Sequence, residues 1–493
     1  MLFRKVFFAF LLLAFTPKAH ANFDFNANCI KAYQNIIALK LNTARAIIND
    51  EKRKHPDNSI PYLLDNYVDY FNLIISESNA DLQRFKESKS TRYSRIEKDD
   101  KSSPYYLYAL AEINLQLALS RSKEKEYFSA SLEFNKAYNQ LKENSKKFPG
   151  FLPNQKNLGM INAVLGSFPD GLSKALSVFG IRGDTRAGVK ILENLIEKLP
   201  QSNYAHFYDE TVFYYSIIQT DIISDSMNYG RIIKITDALD SESLLRTYIR
   251  AYAGIKLAHS STSVLELNKR PRGVFYAHYP YLDYLTGLAK LQNLDQSAAT
   301  SFNTYLKSYR GTNLIKDTYL QLAWLELIKG NIQGYQKNVE LVRTKGYNVH
   351  NRDIQALKEI NYGIPDINLL RAKLLADGGN YEKSFAQLSG KNTQDYKSLM
   401  HKIEFNYRLG RLNELTSRYE QALKYYQVAI DLGKHQPYSF AANSALRTGN
   451  IYEKSKNLIR AKQYFNLAIS MKDHDYENSI ENRAKEGLKR LMD

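Results

Sequence analysis

The chain has 493 residues, 44% of them hydrophobic and 24% charged, which is too apolar for a disordered protein. Its single cysteine, Cys29, excludes an intrachain disulfide, and 12 prolines suit long helices. A net charge of +17 favours anionic partners. Runs such as Glu51-Lys52-Arg53-Lys54 and Lys142 to Lys147 nevertheless mix signs or fall at expected helix ends, so they read as solvated faces and no nucleic-acid partner is expected.

Arg4 and Lys5 precede an apolar run from Val6 to Phe15, and Ala19-His20-Ala21 places small residues where a signal peptidase reads. Residues 1–21 are therefore expected to be a cleaved signal peptide, with the mature chain starting at Asn22. The run is too short to span a bilayer, so the protein is expected to be exported to the periplasm, the outer membrane surface or the exterior. After signal cleavage it would span no membrane. Loss of Arg4, Lys5 and Lys18 lowers the net charge by three. Polar Asn26-Ala27-Asn28 before Cys29 argues against lipid attachment and leaves a buried or idle thiol near a frayed end.

From Asn28 to about Lys54, Ile30, Tyr33, Ile36, Ile37, Leu41, Ala44 and Ile47 recur at three and four, the spacing of one helical face. A second helix is expected from Pro61, and Asn79 to Asp100 reads as a shorter polar helix with loops. Ser103-Pro104 is a helix start, with serine as cap and proline in the first turn. The helices that follow close before Phe148-Pro149-Gly150. Gly180, Gly183 and Gly188 suggest a phosphate loop, but no Gly-Lys-Ser/Thr follows and no β-branched strand precedes them. Gly180 reads better as the end of one helix and Asp184 as the cap of the next. Residues 201–363 look helical but irregular, with stripes at Tyr204, Phe207, Tyr208, Val212, Tyr215 and Ile218 and at Leu320, Ala323, Trp324 and Leu327. Arg270-Pro271-Arg272-Gly273 is the clearest loop.

One pattern recurs. Leu409, Gly410, Tyr419, Ala422, Tyr426 and Ala429 are followed by Gly449, Tyr452, Ala461, Phe465 and Ala468, with twelve positions from Gly410 to Ala422 and from Gly449 to Ala461. Ala118, Ala130, Phe134 and Ala137 keep the same offsets, and Ser384 takes the small-residue place after Gly379-Asn380-Tyr381. Small residues at these offsets let two antiparallel helices approach, while the aromatics fill the groove between them. The pattern resembles the tetratricopeptide repeat. The resemblance implies an all-α, right-handed superhelical solenoid of antiparallel helix pairs, degenerate in its middle, in the segments 22–200, 201–363 and 364–493. A charged helix from Tyr476 to Leu491 would cap the last apolar face. Asp65 to Tyr70, Ser103 to Ile113, Lys146 to Asn154 and Tyr476 to Leu488 are also similar to an uncharacterised family of exported tetratricopeptide proteins of Gram-negative bacteria.

Little catalytic chemistry is visible. His206 with Asp209 and Glu210 comes nearest to a metal-ligand spacing, but a lone histidine falls short of the three or four ligands a zinc site uses. There is no Gly-x-Ser-x-Gly elbow and no Cys-His pair, and Asp99-Asp100 reads as a solvated loop pair. No enzyme, cofactor or metal is expected. In the repeat class the first helix of each pair lines a concave face, which implies a groove formed by Tyr407, Arg411, Glu414, Arg447, Asn450 and Glu453. Its forked donors suit a carboxylate or carbonyl, so an envelope protein or peptide is the expected partner and the chain a protein-binding scaffold. The alternative is an acidic glycan or peptidoglycan fragment, suggested by 37 tyrosines and the positive charge.

Overall fold

The computed structural model describes residues 23–165, 170–181 and 183–492. The signal segment and the start at Asn22 lie outside the described residues. All regular structure described is helical, 25 α-helices packed in adjacent pairs with no strand. None of the described helices is long and apolar enough to cross a membrane.

One turn builds these pairs repeatedly. At Leu39, Lys125, Ala258, Leu294, Gly330, Gly379, Ser417 and Lys456 the backbone enters the left-handed region, with φ between 57° and 86°. In each case the next residue's N–H donates five residues back, as from Lys40 to Asn35 (2.8 Å), Asn331 to Glu326 (2.9 Å) and Asn457 to Tyr452 (2.9 Å). This bond satisfies a carbonyl that the ending helix cannot, and the next helix starts within a few residues. Ala258, Leu294 and Gly330 lie in the stretch where the side-chain pattern fades, at intervals of 36 residues. The backbone repeat thus continues where the sequence repeat is lost.

The small residues do what their spacing requires. A Cβ on Gly410 would lie 2.5 Å from the Tyr426 ring, and one on Gly449 2.6 Å from the Phe465 ring. Ala118, Ala130, Ser384, Ala422 and Ala461 are all buried at such crossings. Gly188 allows an even closer approach, since a Cβ there would fall 2.4 Å from the backbone nitrogen of Ala163. Gly180 takes φ +67° after the helix Asp170–Ser177, and the Asp184 carboxylate caps Thr185–Lys198 through the Ala187 N–H.

Three local expectations fail. The stripe from Asn28 to Lys54 is two helices, Ala27–Ile37 and Leu41–Lys54, because Leu39 turns the chain while the apolar spacing runs on through the break. The polar segment after Ser78 is one helix of 19 residues, Asn79–Glu97, anchored by buried Leu82, Phe85 and Ile96. Asp99 is buried beside Arg95 at 3.4 Å. Cys29, by contrast, is buried as expected, and Asn58 hydrogen-bonds both the Asp24 backbone and the thiol, whose pKa burial pushes up to about 12. Such a thiol is unreactive.

The helices form two compact units. The first comprises residues 23–223, 232–249 and 270–279; the second comprises 224–231, 250–269 and 280–492. The central stretch contributes to both.

Candidate functional site

In the second unit, the Ser398 hydroxyl caps Leu399–Leu415 by accepting from the His401 N–H. Along that helix Glu404, Tyr407, Arg408, Arg411 and Glu414 follow at three and four, so they share one side. Arg447, from Phe440–Lys454, reaches the same place. Its guanidinium lies 3.1 Å from the Glu414 carboxylate, with Arg411 at 3.8 Å on the same oxygen, and Tyr426 donates to that oxygen at 2.5 Å. One carboxylate therefore stands between two guanidinium groups. The buried Nε of Arg447 has no acceptor among the described residues.

The field of this cluster is positive. Burial alone would raise the Tyr407 pKa, but Arg447, Arg411 and Arg408 outweigh it and lower the phenol below its ordinary value. Arg483, on the last helix Glu477–Arg490, is lowered by partial desolvation of its guanidinium and by repulsion from Arg447 and Arg411. A phenol and a guanidinium thus report the same sign. Arg408 is better compensated, since both its Nε and a terminal nitrogen donate to Glu404 (3.1 and 2.7 Å).

Beside the cluster opens a cavity of about 220 Å³ with Tyr362, Glu404, Tyr407, Arg408, Tyr438 and Phe440 in its wall. A second, of about 200 Å³, has Trp324 in its wall, with the Lys373 ammonium 4.2 Å from the ring. Gln355, Glu359, Lys373 and Tyr476 line both, so the two are compartments of one groove. Tyr476 is held at φ 58° and is half exposed.

Of the six groove residues read from the sequence, Tyr407, Arg411, Glu414 and Arg447 come together. Asn450 is half-buried three residues beyond Arg447. Glu453 lies apart from that cluster in a two-pronged pair with Arg490, both bonds 2.7 Å. Arg483 and the neighbouring compartment were not legible, because the last helix reads as a plain charged cap.

The first unit holds a different cluster that sequence reasoning missed. Lys156, on the helix Pro153–Val164, is fully buried between Glu112 (2.7 Å) and Glu210. Asn157 donates to Glu112 at 2.9 Å, while Tyr33 and Tyr214 donate to Glu210, the latter at 2.7 Å. Burial alone would lower Lys156, but the two carboxylates outweigh it and raise its pKa; Lys156 in turn lowers that of Glu112 against the effect of burial. The rings of Tyr67, Tyr108, Phe207 and Tyr214 surround the ammonium at 5.5 to 5.8 Å. A signal existed in the sequence: Glu112 interrupts the apolar run of Pro104–Lys123, where only a paired charge is tolerated.

His206 packs against Phe25 and Phe207 at 4.6 and 4.4 Å, and burial, then Lys156, lowers its pKa to about 4. Glu210, its sequence neighbour, belongs to the Lys156 cluster. Among the described residues no three His, Cys, Asp or Glu are grouped to hold a metal. Of the 37 tyrosines only Tyr347 and Tyr476 are exposed. The rest are buried or partly buried.

Neither the models of known protein families nor the curated proteins give a match for this chain.

Proposed function

We propose that the chain is a non-enzymatic, tetratricopeptide-like scaffold of the cell envelope, its helix pairs winding into a right-handed superhelix. Its C-terminal groove holds a carboxylate-bearing segment of a protein or peptide partner. The carrying observation is that Arg411 and Arg447 converge on the single carboxylate of Glu414, beside an aromatic-walled compartment. A partner carboxylate would take the Arg483 guanidinium as a charge-assisted donor in the positive field of Arg411 and Arg447, and its apolar neighbours would fill the compartment. The glycan alternative keeps the positive charge as an argument but loses part of the other, because only Tyr347 and Tyr476 are exposed. Export is supported by the N-terminal pattern alone, and sequencing of the mature protein should find Asn22 first.

The groove is tested with a library of short peptides carrying either a free C-terminal carboxylate or its amide, screened on the full mature chain. Carboxylates should bind about tenfold more tightly than amides, the range of a charge-assisted hydrogen bond. The variant Arg483→Ala, at an exposed site, should remove most of that preference without lowering thermal stability, and Arg411→Ala with Arg447→Ala should abolish it. Equal binding of carboxylate and amide would refute the groove.

A further inference from the structure

The first unit contains a cavity of about 240 Å³ whose wall is largely apolar, aliphatic side chains such as Leu39, Ile75 and Met160 alternating with six aromatic ones. Tyr70 and Phe71 come from Ile60–Ser76, Phe213 and Tyr214 from Tyr208–Ile217, Tyr248 from the helix Leu244–Lys256, and Tyr279 from the loop that follows Arg270. The rings form two connected arcs. Phe213 lies 5.7 Å from Tyr214 and 6.3 Å from Tyr248, Tyr248 lies 5.8 Å from Tyr279, and Tyr70 lies 6.0 Å from Phe71. The volume is slightly below the usual range of drug-sized pockets, so the space suits a small molecule. Ile74, which is exposed, marks its mouth.

One charged side chain lines this cavity among the described residues, the carboxylate of Glu210. Behind it stand Lys156 and then Glu112, all three shielded from water, with side-chain exposures of 2%, 0% and 1%. Two carboxylates answer one ammonium, so the cluster carries an excess negative charge. Glu210 accepts from Lys156, Tyr33, Tyr67 and Tyr214 and meets no acceptor among these partners. His206 supplies no compensating charge, because its depressed pKa keeps it neutral above about pH 4. An uncompensated charge in an apolar interior is costly, and a second cation beside Glu210 would relieve it. Aromatic faces attract a cation most where water is excluded. The cavity therefore combines an excess negative charge with walls that stabilise an organic cation.

We propose that this cavity is a binding site for a small organic ammonium ion with an apolar body, enclosed by the rings of Tyr70, Phe71, Phe213, Tyr214, Tyr248 and Tyr279 and facing the Glu210 carboxylate. The site is separate from the arginine-rich groove and selects the opposite charge.

The test titrates the full mature chain with benzyltrimethylammonium and with neopentylbenzene, its uncharged carbon isostere, by calorimetry and saturation-transfer NMR. The cation should bind at least about tenfold more tightly, the worth of a desolvated cation–aromatic contact. Phe213→Ala and Tyr248→Ala, which remove wall but leave the Lys156 cluster intact, should each weaken the cation about fivefold or more by the same contact. Glu210→Gln should abolish the preference for the cation over its isostere. If Glu210→Gln does not fold, the two wall variants decide the question. Equal affinity for the isostere, no binding of the cation, or undiminished binding by both wall variants would each overturn the proposal.

Discussion

In the first unit the Lys156 ammonium stands between two carboxylates, and in the second the Glu414 carboxylate stands between two guanidinium groups. The charge patterns are inverse, and so are the surroundings. Lys156 and its partners are sealed among aromatic rings, whereas Arg447, Glu414 and Arg411 keep 17%, 20% and 26% of their side-chain exposure. In the sealed triad desolvation makes each charge depend on the others, so loss of one partner exposes the full penalty. In the open one water absorbs part of any imbalance, and the remaining charge is available to a ligand. Burial, rather than the number of ion pairs, decides how strongly the members of such a cluster depend on one another.

The sharpest break of this comparison is Lys156→Met, which leaves Glu112 and Glu210 facing each other in a dry interior. It should lower stability by about 3 to 5 kcal/mol in urea unfolding, the usual consequence of removing one partner from a buried pair. Glu414→Gln, the matching change in the open triad, should cost only about 1 to 2 kcal/mol, within the range for a lost charged hydrogen bond. Its effect should shrink further in high salt, whereas that of Lys156→Met should not. Equal losses would mean that exposure does not separate the two clusters.

The frame that holds the open triad was largely legible, and the reason is geometric. Gly410, Ala422 and Tyr426 fix where two helices cross, and that crossing needs small residues whatever the rest of the repeat contains. The middle was less legible because it does not keep throughout the twelve-residue small-to-small spacing of the C-terminal pairs, although its turns at Ala258 and Leu294 use the same backbone. The Lys156 triad was invisible for another reason. Its members are 44 and 54 residues apart in sequence, and none belongs to a local motif. Ala422→Leu and Ala461→Leu should each overpack a crossing and cost about 1 to 3 kcal/mol. Leucine at the exposed neighbours Lys424 and Lys462 should cost less than about 0.5 kcal/mol. Denaturant midpoints ranking the other way would displace the register on which the Glu414 cluster depends.

Acid tests the sealed side. His206 has a folded pKa of about 4, below its ordinary 6.5, so the stability it contributes is complete above pH 6.5 and is lost as pH falls towards 4. Asp209 has the opposite slope. Burial, then Asp240, raises it from 3.8 to about 6, so its contribution is present below pH 3.8 and is lost as pH rises through 6. Between pH 4 and 6 the two oppose each other. Relative to wild type, stability of Asp209→Asn should fall more steeply on acidification across this window, and that of His206→Asn less steeply. Urea midpoints at half-unit intervals would show the divergence, and parallel curves would contradict it.

The smallest effect expected is at Glu453 and Arg490. Their pair has good geometry, two bonds of 2.7 Å from one guanidinium, yet the side chains are 24% and 37% exposed. Water competes for both groups, and two long side chains lose freedom in forming the pair. A double-mutant cycle with alanine should therefore give a coupling of about 0.2 to 1 kcal/mol, well below the effect of Lys156→Met. The pair also separates structure from recognition. Glu453 is already satisfied within the chain, away from the Glu414 cluster, so Glu453→Ala should leave the preference for carboxylate peptides unchanged where Arg483→Ala removes it. Loss of that preference in Glu453→Ala would move the groove toward the end of the last helix and take the Glu414 triad out of recognition.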